Sequence, residues 1–448
     1  MTGTGKGAGT TGSPNGTFTG HRRGSPGYRG VLVGLAAAGV ATFAQLYSLQ
    51  GVLPELAAGM DISASSAALT VSAATLGLAA AVIPWSAAAD RFGRLPVMRA
   101  AILAAVVLGL AVPLSPGLPA LLGLRFLEGV ALGGIPAVAL AYLSEEVSQL
   151  HAAVAAGTYV SGTTIGGLAG RIVAAPLAEL VNWRVGVAAV SMLAAGAAAV
   201  FLFTAPRQQG FVPVRRAAPG HGLAARLAAN LRSPRLLALY LQGFLLMGGF
   251  VAVYNYLGFR LGAPPFGLPQ GVASALFLAY LAGTWSSRAA GTLAARLAGH
   301  GGRKPVLLLS IGAMAAGLAM TLAENIAAIV AGLLVFTGGF FAAHSIASGW
   351  TPMLAREGRA QASSLYNLFY YTGSSVLGWA GGYCFQQGGW PALALFVGAL
   401  LLAAAVVAVL VLRRDDAVQP AAGQDFAGKY GAGRPGHGHA APERGSKP

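Results

Sequence analysis

Apolar residues in this chain come in long, nearly unbroken runs, unlike the alternation of a half-buried strand or the three-to-four spacing of a surface helix. Twelve such windows stand at 31–51, 66–88, 96–114, 117–142, 152–178 and 184–204, then at 236–258, 271–294, 304–322, 326–349, 360–385 and 391–412. Each has about the 20 residues that an α-helix needs to cross the hydrocarbon core of a bilayer. Pro113, Pro116 and Gly117 mark the boundary between the third and fourth windows. The pattern predicts an all-α membrane protein with twelve transmembrane helices.

The two sets of six windows carry matching landmarks. Gly93-Arg94-Leu95-Pro96-Val97 returns as Gly302-Arg303-Lys304-Pro305-Val306, 209 positions later. The run from Gly162 to Gly170 is echoed from Gly373 to Gly381 at an offset of 211. Two landmarks at nearly one offset imply two parallel six-helix repeats, the architecture of a large class of secondary transporters. The halves are predicted over 31–204 and 236–412. The segment 205–235 is basic, contains proline and lacks a continuous apolar run, which makes it the expected cytoplasmic linker. Residues 1–30 and 413–448 have the composition of disordered tails. Arg22, Arg23 and Arg29 resemble the basic region of a signal peptide, but the apolar window after them is long for one. No cleavage pattern follows, so a retained first helix is expected.

Composition sharpens this picture. Hydrophobic residues make up 55% of the 448 and charged residues only 9%, against about 25% charged in soluble domains. In water so much apolar surface would aggregate. Positive charge sets the expected orientation: with both termini cytoplasmic, the inner segments hold most of it, from Arg91 and Arg94 to Arg356 and Arg359. The outer loops then hold little beyond Arg184 and Arg260, with Glu55, Asp61 and Glu324. The 143–151 loop, with Glu145 and Glu146 and no Lys or Arg, is the exception. A net charge of +16 spread over tails and inner loops suits anionic lipid, and no nucleic-acid recognition fold surrounds it. Membrane lipid is thus an expected partner and nucleic acid is not. The single cysteine, Cys384, lies in an apolar window and excludes a disulfide framework and a cysteine metal site. No metal or cofactor is expected, and a monomer in a bacterial inner membrane is.

Three motifs lie at informative places. Ala89-Asp90-Arg91-Phe92-Gly93-Arg94-Leu95-Pro96 joins the second and third windows, Arg125-Phe126-Leu127-Glu128-Gly129 lies in the fourth, and the glycine run lies in the fifth. They resemble the signature loop of the major facilitator superfamily (G-x-x-x-D-R-x-G-R), its R-x-x-Q-G element and the glycine-rich element of its efflux members. The resemblance covers about 31–412. Ala141-Tyr142-Leu143-Ser144-Glu145-Glu146, and Ser363-Ser364-Leu365-Tyr366 with Tyr370-Tyr371, are similar to the bacterial YnfM-type, arabinose-efflux-like branch, which implies export of drugs or sugars. There are departures. Ser86 replaces the first loop glycine, Glu128 the usual glutamine, Gly166-Gly167 the efflux Gly-Pro, and Arg171 a glycine. In the second half Ala295, just before Arg296, occupies the place of the loop acid.

The physical reading of the loop is a gate. Asp90 lies at the inner ends of its helices, and the eleventh window begins on the same side near Gln361 with the partial positive charge of a helix start. Asp90 against that start would latch the halves when the inner gate is shut. Gly93 permits the tight turn, and Arg91 and Arg94 can pair with Asp90 or with lipid phosphate. Arg296, Gly302 and Arg303 form the counterpart, which lacks an acid and therefore a latch. The plainer alternative is a solvated loop that only satisfies the orientation rule.

Ionisable side chains at membrane depth are costly and mark pathways or relays. Arg125 and Glu128 share a helix face and can pair, roughly 12 to 17 Å from the outer end at the usual helical rise. Glu128 would bind and release a proton as burial and pairing change; a permanent structural pair is the alternative. Arg171, nearer the outer end, would hold an anionic substrate, stabilise the outer gate or snorkel. In transporters that the chain resembles, the first, fourth, seventh and tenth spans line the cavity. That implies cavity positions for Gln45, Gln242 and His344, with Tyr366, Asn367 and Tyr370 adding aromatic and polar surface from the eleventh. A packing histidine and interface tyrosines are the plainer readings. Gly162, Gly166 and Gly170, and Gly373, Gly378 and Gly381, strip one helix stripe of side chains for close packing.

No Walker loop, dinucleotide fingerprint, zinc-protease helix or nucleophile elbow occurs, so no enzyme is expected. The expected function is proton-coupled export of a small drug-like or sugar-like solute by alternating access. Solute uptake by a symporter or facilitator, and a non-transporting sensor on the same fold, are the alternatives.

Overall fold

A computed structural model of the protein describes residues 18–211, 222–297 and 302–412. The expected tail 413–448 lies outside them, as do residues 1–17 of the other tail and 212–221 of the linker. Helix 1 spans Pro26–Met60, helix 2 Ala64–Phe92 and helix 3 Arg94–Leu114. Helix 4 runs over Leu118–Leu132 and resumes at Ala139–Glu146; helix 5 is Ala152–Leu180 and helix 6 Trp183–Thr204. The second half repeats the set. Helix 7 is Pro234–Gly262, and helix 8 joins Gln270–Ser274 to Tyr280–Arg296 through a 3₁₀ turn at Ala275–Ala279. Helix 9 is Arg303–Met320, helix 10 is Ile326–Leu354, and helices 11 and 12 share Arg359–Val411, parted at Gly388 and Gly389. Eight of these segments, the double one included, are long and apolar enough to cross a membrane. Helices 4 and 8 are interrupted, and helix 5 is diluted by glycine and threonine.

Local chemistry sets the ends. Ser25 accepts a hydrogen bond from the Tyr28 amide at 3.2 Å, with Pro26 in the first helical position, where its missing N–H costs nothing. Asn182 and Asn325 cap helices 6 and 10 in the same way, accepting from Val185 at 3.1 Å and Ala327 at 2.8 Å. Gly93, at φ +97°, makes the turn between helices 2 and 3, a conformation that a side chain would strain.

Two expectations need correction, and the linker adds a helix on which the sequence was silent. Helix 4 is not one continuous rod: Pro136 has no N–H to donate, and the chain passes through turns between Leu132 and Ala139. The described end of the 1–30 segment is structured. His21 N donates to Glu146 O at 2.7 Å, Ser148 N returns a bond to His21 O at 3.2 Å, and helix 1 starts at Pro26. The linker contains a helix, Leu223–Leu231, and Asn230 donates from it to Gly358 O at 3.2 Å.

Each half has its own core. Leu239, Phe250, Phe336 and Leu393 are among the residues at the centre of the second half; Leu35, Met98, Tyr142 and Phe201 serve one part of the first. Helices 1 and 5 touch through backbone, since a Cβ on Gly162, Gly166 or Gly170 would run into the carbonyls of Ala36, Val40 and Ala44. Helices 7 and 11 repeat this, with Gly373 against the Phe244 carbonyl, Gly378 against Val251 and Gly381 against Ala252.

Candidate functional site

The described ends of the chain and the 90–94 loop lie at one end of the bundle, here the basic end; the opposite one is the far end. Several hydrogen bonds join the halves. Gln50 donates to Asn255 Oδ1 at 2.7 Å, Gln270 to Gly51 O at 3.1 Å, and the Gly271 amide to Glu179 Oε2 at 2.8 Å. The Thr75 and Ser375 hydroxyls meet at 2.7 Å, and Arg171 donates to the Tyr280 hydroxyl at 3.3 Å. All of these lie between mid-depth and the far end. Tyr371 also joins a buried apolar cluster of first-half residues that includes Leu46, Ala79 and Val82. Toward the basic end Phe92, Arg359 and Asn367 are exposed. The bonds between the halves thus gather from mid-depth to the far end.

Aromatic rings dominate the wall contributed by the second half. His344 Nδ1 lies 3.0 Å from the Tyr366 hydroxyl, and its ring is 4.7 Å from that of Tyr370. Phe340 stacks on Phe250 at 3.9 Å, and Tyr280 meets Phe250 edge-on at 5.2 Å. His344, Tyr370 and Tyr280 are half-buried, whereas Tyr366 is buried behind them and Asn367 is exposed. The structure therefore brings three of the expected cavity residues together, His344, Tyr366 and Tyr370.

Gln45 and Gln242 are placed elsewhere. Gln45 accepts from Ser191 at 3.3 Å and faces helices 3 and 6; Gln242 donates to Ala404 O of helix 12 at 2.8 Å. Helical spacing gave them a face but not the direction in which it turns. Arg171 is 2% exposed and lies in the far-end seam. Its guanidinium sits 3.8 Å from the Tyr47 ring centre, 4.7 Å from Tyr280 and 5.1 Å from Phe277. It also donates to Gln50 Oε1 at 2.7 Å and to Gly167 O at 2.5 Å.

Arg125 and Glu128 form a 2.5 Å ion pair whose side chains are both fully buried inside the first half. Helix 1 breaks after Leu46, freeing carbonyls, and Arg125 collects them. It donates to Gln45 O at 3.1 Å and Leu46 O at 2.7 Å, and to Thr70 O of helix 2 at 3.2 Å. The carboxylate is less satisfied, because Glu128 Oε1 has no hydrogen-bond partner.

At the basic end Asp90 pairs with Arg94, which also reaches Glu145 at 3.0 Å. Gln208 accepts from the Leu95 amide at 3.1 Å, and Glu146 Oε1 accepts from the Gln209 and Gly210 amides at 2.7 and 2.8 Å. The acidic 143–151 loop, odd by charge placement, is therefore a docking point for Arg94 and for the chain leaving helix 6. Arg91 lies over Phe92 and is exposed. In the second half Arg296 is exposed, Gly302 turns the chain into helix 9, Arg303 is half-buried, and Lys304 binds the Val409 and Leu412 carbonyls. Sequence reasoning missed the seam residues Gln50, Asn255, Gln270 and Glu179. Asn255 carried a signal, a lone amide in an aromatic and aliphatic run.

Two six-helix halves with this loop match a known family: the profile of the Major Facilitator Superfamily covers residues 35–301 and 266–435. The chain belongs to the Major Facilitator Superfamily. It is 38% identical over 393 residues to the inner membrane transport protein YnfM of Escherichia coli, covering 88% of this chain and 93% of that one. It is 36% identical over 383 residues to the MFS-type transporter YybF of Bacillus subtilis, covering 86% and 93%. A solved bacterial homologue of the human lysosomal transporter Spinster, in an inward-facing and unoccupied conformation, superposes with a TM-score of 0.67. It shares 14% identity and covers 87% of this chain and 96% of its own. The nucleoside transporter NupG has the same TM-score and identity, over 86% and 100%. At such identity these structures speak to the fold alone. The protein is a multi-pass membrane transporter of the secondary type, and the family is not one of enzymes.

Proposed function

We propose that this superfamily member exports a small organic compound in exchange for protons. The termini face the cytoplasm of a bacterium, and the protein works as a monomer. The observation that carries the coupling is the Arg125–Glu128 pair. A carboxylate at membrane depth with one oxygen unpartnered is expensive to keep, and protonation removes its charge. Helix 1, whose broken turn holds Arg125, also carries Gln50 into the far-end seam. Opening the seam therefore disturbs the helix that surrounds the pair. In this reading the halves part toward the basic end to admit the solute, and the aromatic wall supplies apolar contact area. Asp90, Arg91, Gly93 and Arg94 form the inner gate. The orientation rests on the basic loops.

Uptake is the second reading, kept because Arg171 stands where efflux relatives have glycine. Counterflow of a solute panel in proteoliposomes, with and without an imposed pH gradient, separates the readings. Solute movement opposite to the proton flux supports export. Accumulation with the protons replaces it by uptake, and no flux of any solute leaves a sensor.

A further inference from the structure

Arg171 is a buried cation, and among the described residues no carboxylate pairs with it. Its neighbours are neutral dipoles and ring faces from both halves. Tyr47, Gln50 and Gly167 belong to the first half, whereas Phe277 and Tyr280 belong to the second. Of its three hydrogen bonds the one to the Tyr280 hydroxyl, 3.3 Å long, is the longest and is the one that crosses the seam. A guanidinium carries five N–H donors in a fork that fits a carboxylate, so this cage leaves donors over. Tyr280 is half-buried and also meets the aromatic wall at Phe250 and Phe341. Tyr280 thus joins the cage in the far-end seam to the aromatic wall.

We propose that the transported solute is an aromatic carboxylate, and that its carboxylate opens the far gate by displacing Tyr280 from Arg171. This rests on the transport reading above and names its substrate class and trigger. The solute enters from the basic end with its ring against Phe341 and Tyr370. Its carboxylate then competes with a neutral phenol for the same guanidinium. A carboxylate brings a full opposite charge and two oxygens that match the guanidinium fork, whereas the phenol offers one neutral oxygen, so the carboxylate wins. Tyr280 then no longer ties helix 8 to helix 5, and one of the bonds closing the far end is lost. A cationic aromatic makes the ring contacts but is repelled by Arg171, and a neutral amide offers only an uncharged acceptor, with no gain of charge over the phenol it would replace. Tyr280 is the resident competitor and Arg171 the receptor.

The test uses the full chain in nanodiscs and proteoliposomes, with Cys384→Ser and spin labels on Asp61→Cys and Ala263→Cys, exposed far-end positions in the two halves. Benzoate is the probe, with benzamide and benzylamine as the neutral and cationic controls. Benzoate should lengthen the label distance and be transported, whereas the controls should not lengthen it. Tyr280→Phe keeps the ring and removes the competing hydroxyl, so the benzoate concentration giving half the shift should fall about tenfold. Arg171→Gln should abolish the shift. If that variant fails to fold, Tyr280→Phe decides alone. Equal responses to benzoate and benzamide, no response to benzoate, or an unmoved midpoint in Tyr280→Phe would each overturn the proposal. Proton-driven export of neutral solutes with benzoate inert would overturn this inference and leave the transport reading standing. A benzoate-induced shift without flux of any solute would overturn the transport reading and, with it, benzoate's place as a carried solute, leaving only the Arg171–Tyr280 trigger.

Discussion

The hydroxyls of Thr75 and Ser375 lie 2.7 Å apart in the middle of the molecule, although 300 residues separate them in the chain. Thr75 is on helix 2 and Ser375 on helix 11, so the bond spans the two halves. Ser375 also donates to Tyr371 O at 2.9 Å. Removing Thr75's hydroxyl therefore leaves no orphan, and Thr75→Val is a clean probe. A buried hydrogen bond contributes about 1 kcal/mol net, so the far-open population should rise roughly fivefold. The label distance between Asp61→Cys and Ala263→Cys reads it. An unchanged distance distribution would show that the bond does not hold the seam.

Asp90 is half-exposed and paired with Arg94, so the proposed latch requires it to exchange that partner for the start of helix 11 when the basic end shuts. Asp90→Asn should slow transport roughly fivefold, in keeping with the ~1 kcal/mol of an exposed pair. It should also raise thiol accessibility at the basic end, with little loss of folded protein. Ala295→Asp should bring no comparable gain. Normal flux and accessibility in Asp90→Asn would leave the loop as a solvated turn.

Glycine spacing makes a sharper prediction about stability. A Cβ at Gly166 would meet the Val40 backbone, whereas one at Gly157 on the same helix would meet nothing within 4 Å. Gly166→Ala should cost about 1–3 kcal/mol by forcing helices 1 and 5 apart, and Gly157→Ala should be neutral or mildly stabilising. Thermal unfolding in detergent compares them. Equal Tm values would mean that the 1–5 contact yields without cost.

How much could be read in advance divides along physical lines. Bilayer thickness imposes a run length, so the windows at 66–88 and 326–349 anticipate helices 2 and 10 within a few residues. The four-residue glycine spacing in helix 5 shows a close contact because only a missing side chain permits one. The seam was not legible. Gln50, Asn255 and Gln270 are single polar residues without periodicity, and their pairing depends on how the halves meet in one conformation. Gln45 and Gln242 show the complementary failure, since spacing fixes a helix face while packing fixes where it points. The break in helix 4 was legible in Gly133-Gly134-Ile135-Pro136, but apolar content masked it.

Glu128 carries the last prediction. Its partner Arg125 is held by three backbone carbonyls besides the carboxylate, so Glu128→Gln leaves the guanidinium with acceptors although without a counter-charge. The amide keeps the shape and cannot release a proton. If Glu128 carries the coupling proton, the variant should lose transport driven by a pH gradient and keep solute exchange, which needs only alternating access. Removing one member of a buried pair is itself costly, about 3–5 kcal/mol where the remaining charge is uncompensated. Folded yield and Tm must therefore be matched before flux is compared. The double variant Arg125→Gln with Glu128→Gln removes the stranded charge. Recovered folding without recovered proton drive supports coupling, and recovered drive makes the pair structural. Full pH-driven transport by well-folded Glu128→Gln would end the coupling role. His344, half-buried beside Tyr366 and Tyr370, then becomes the next group to replace.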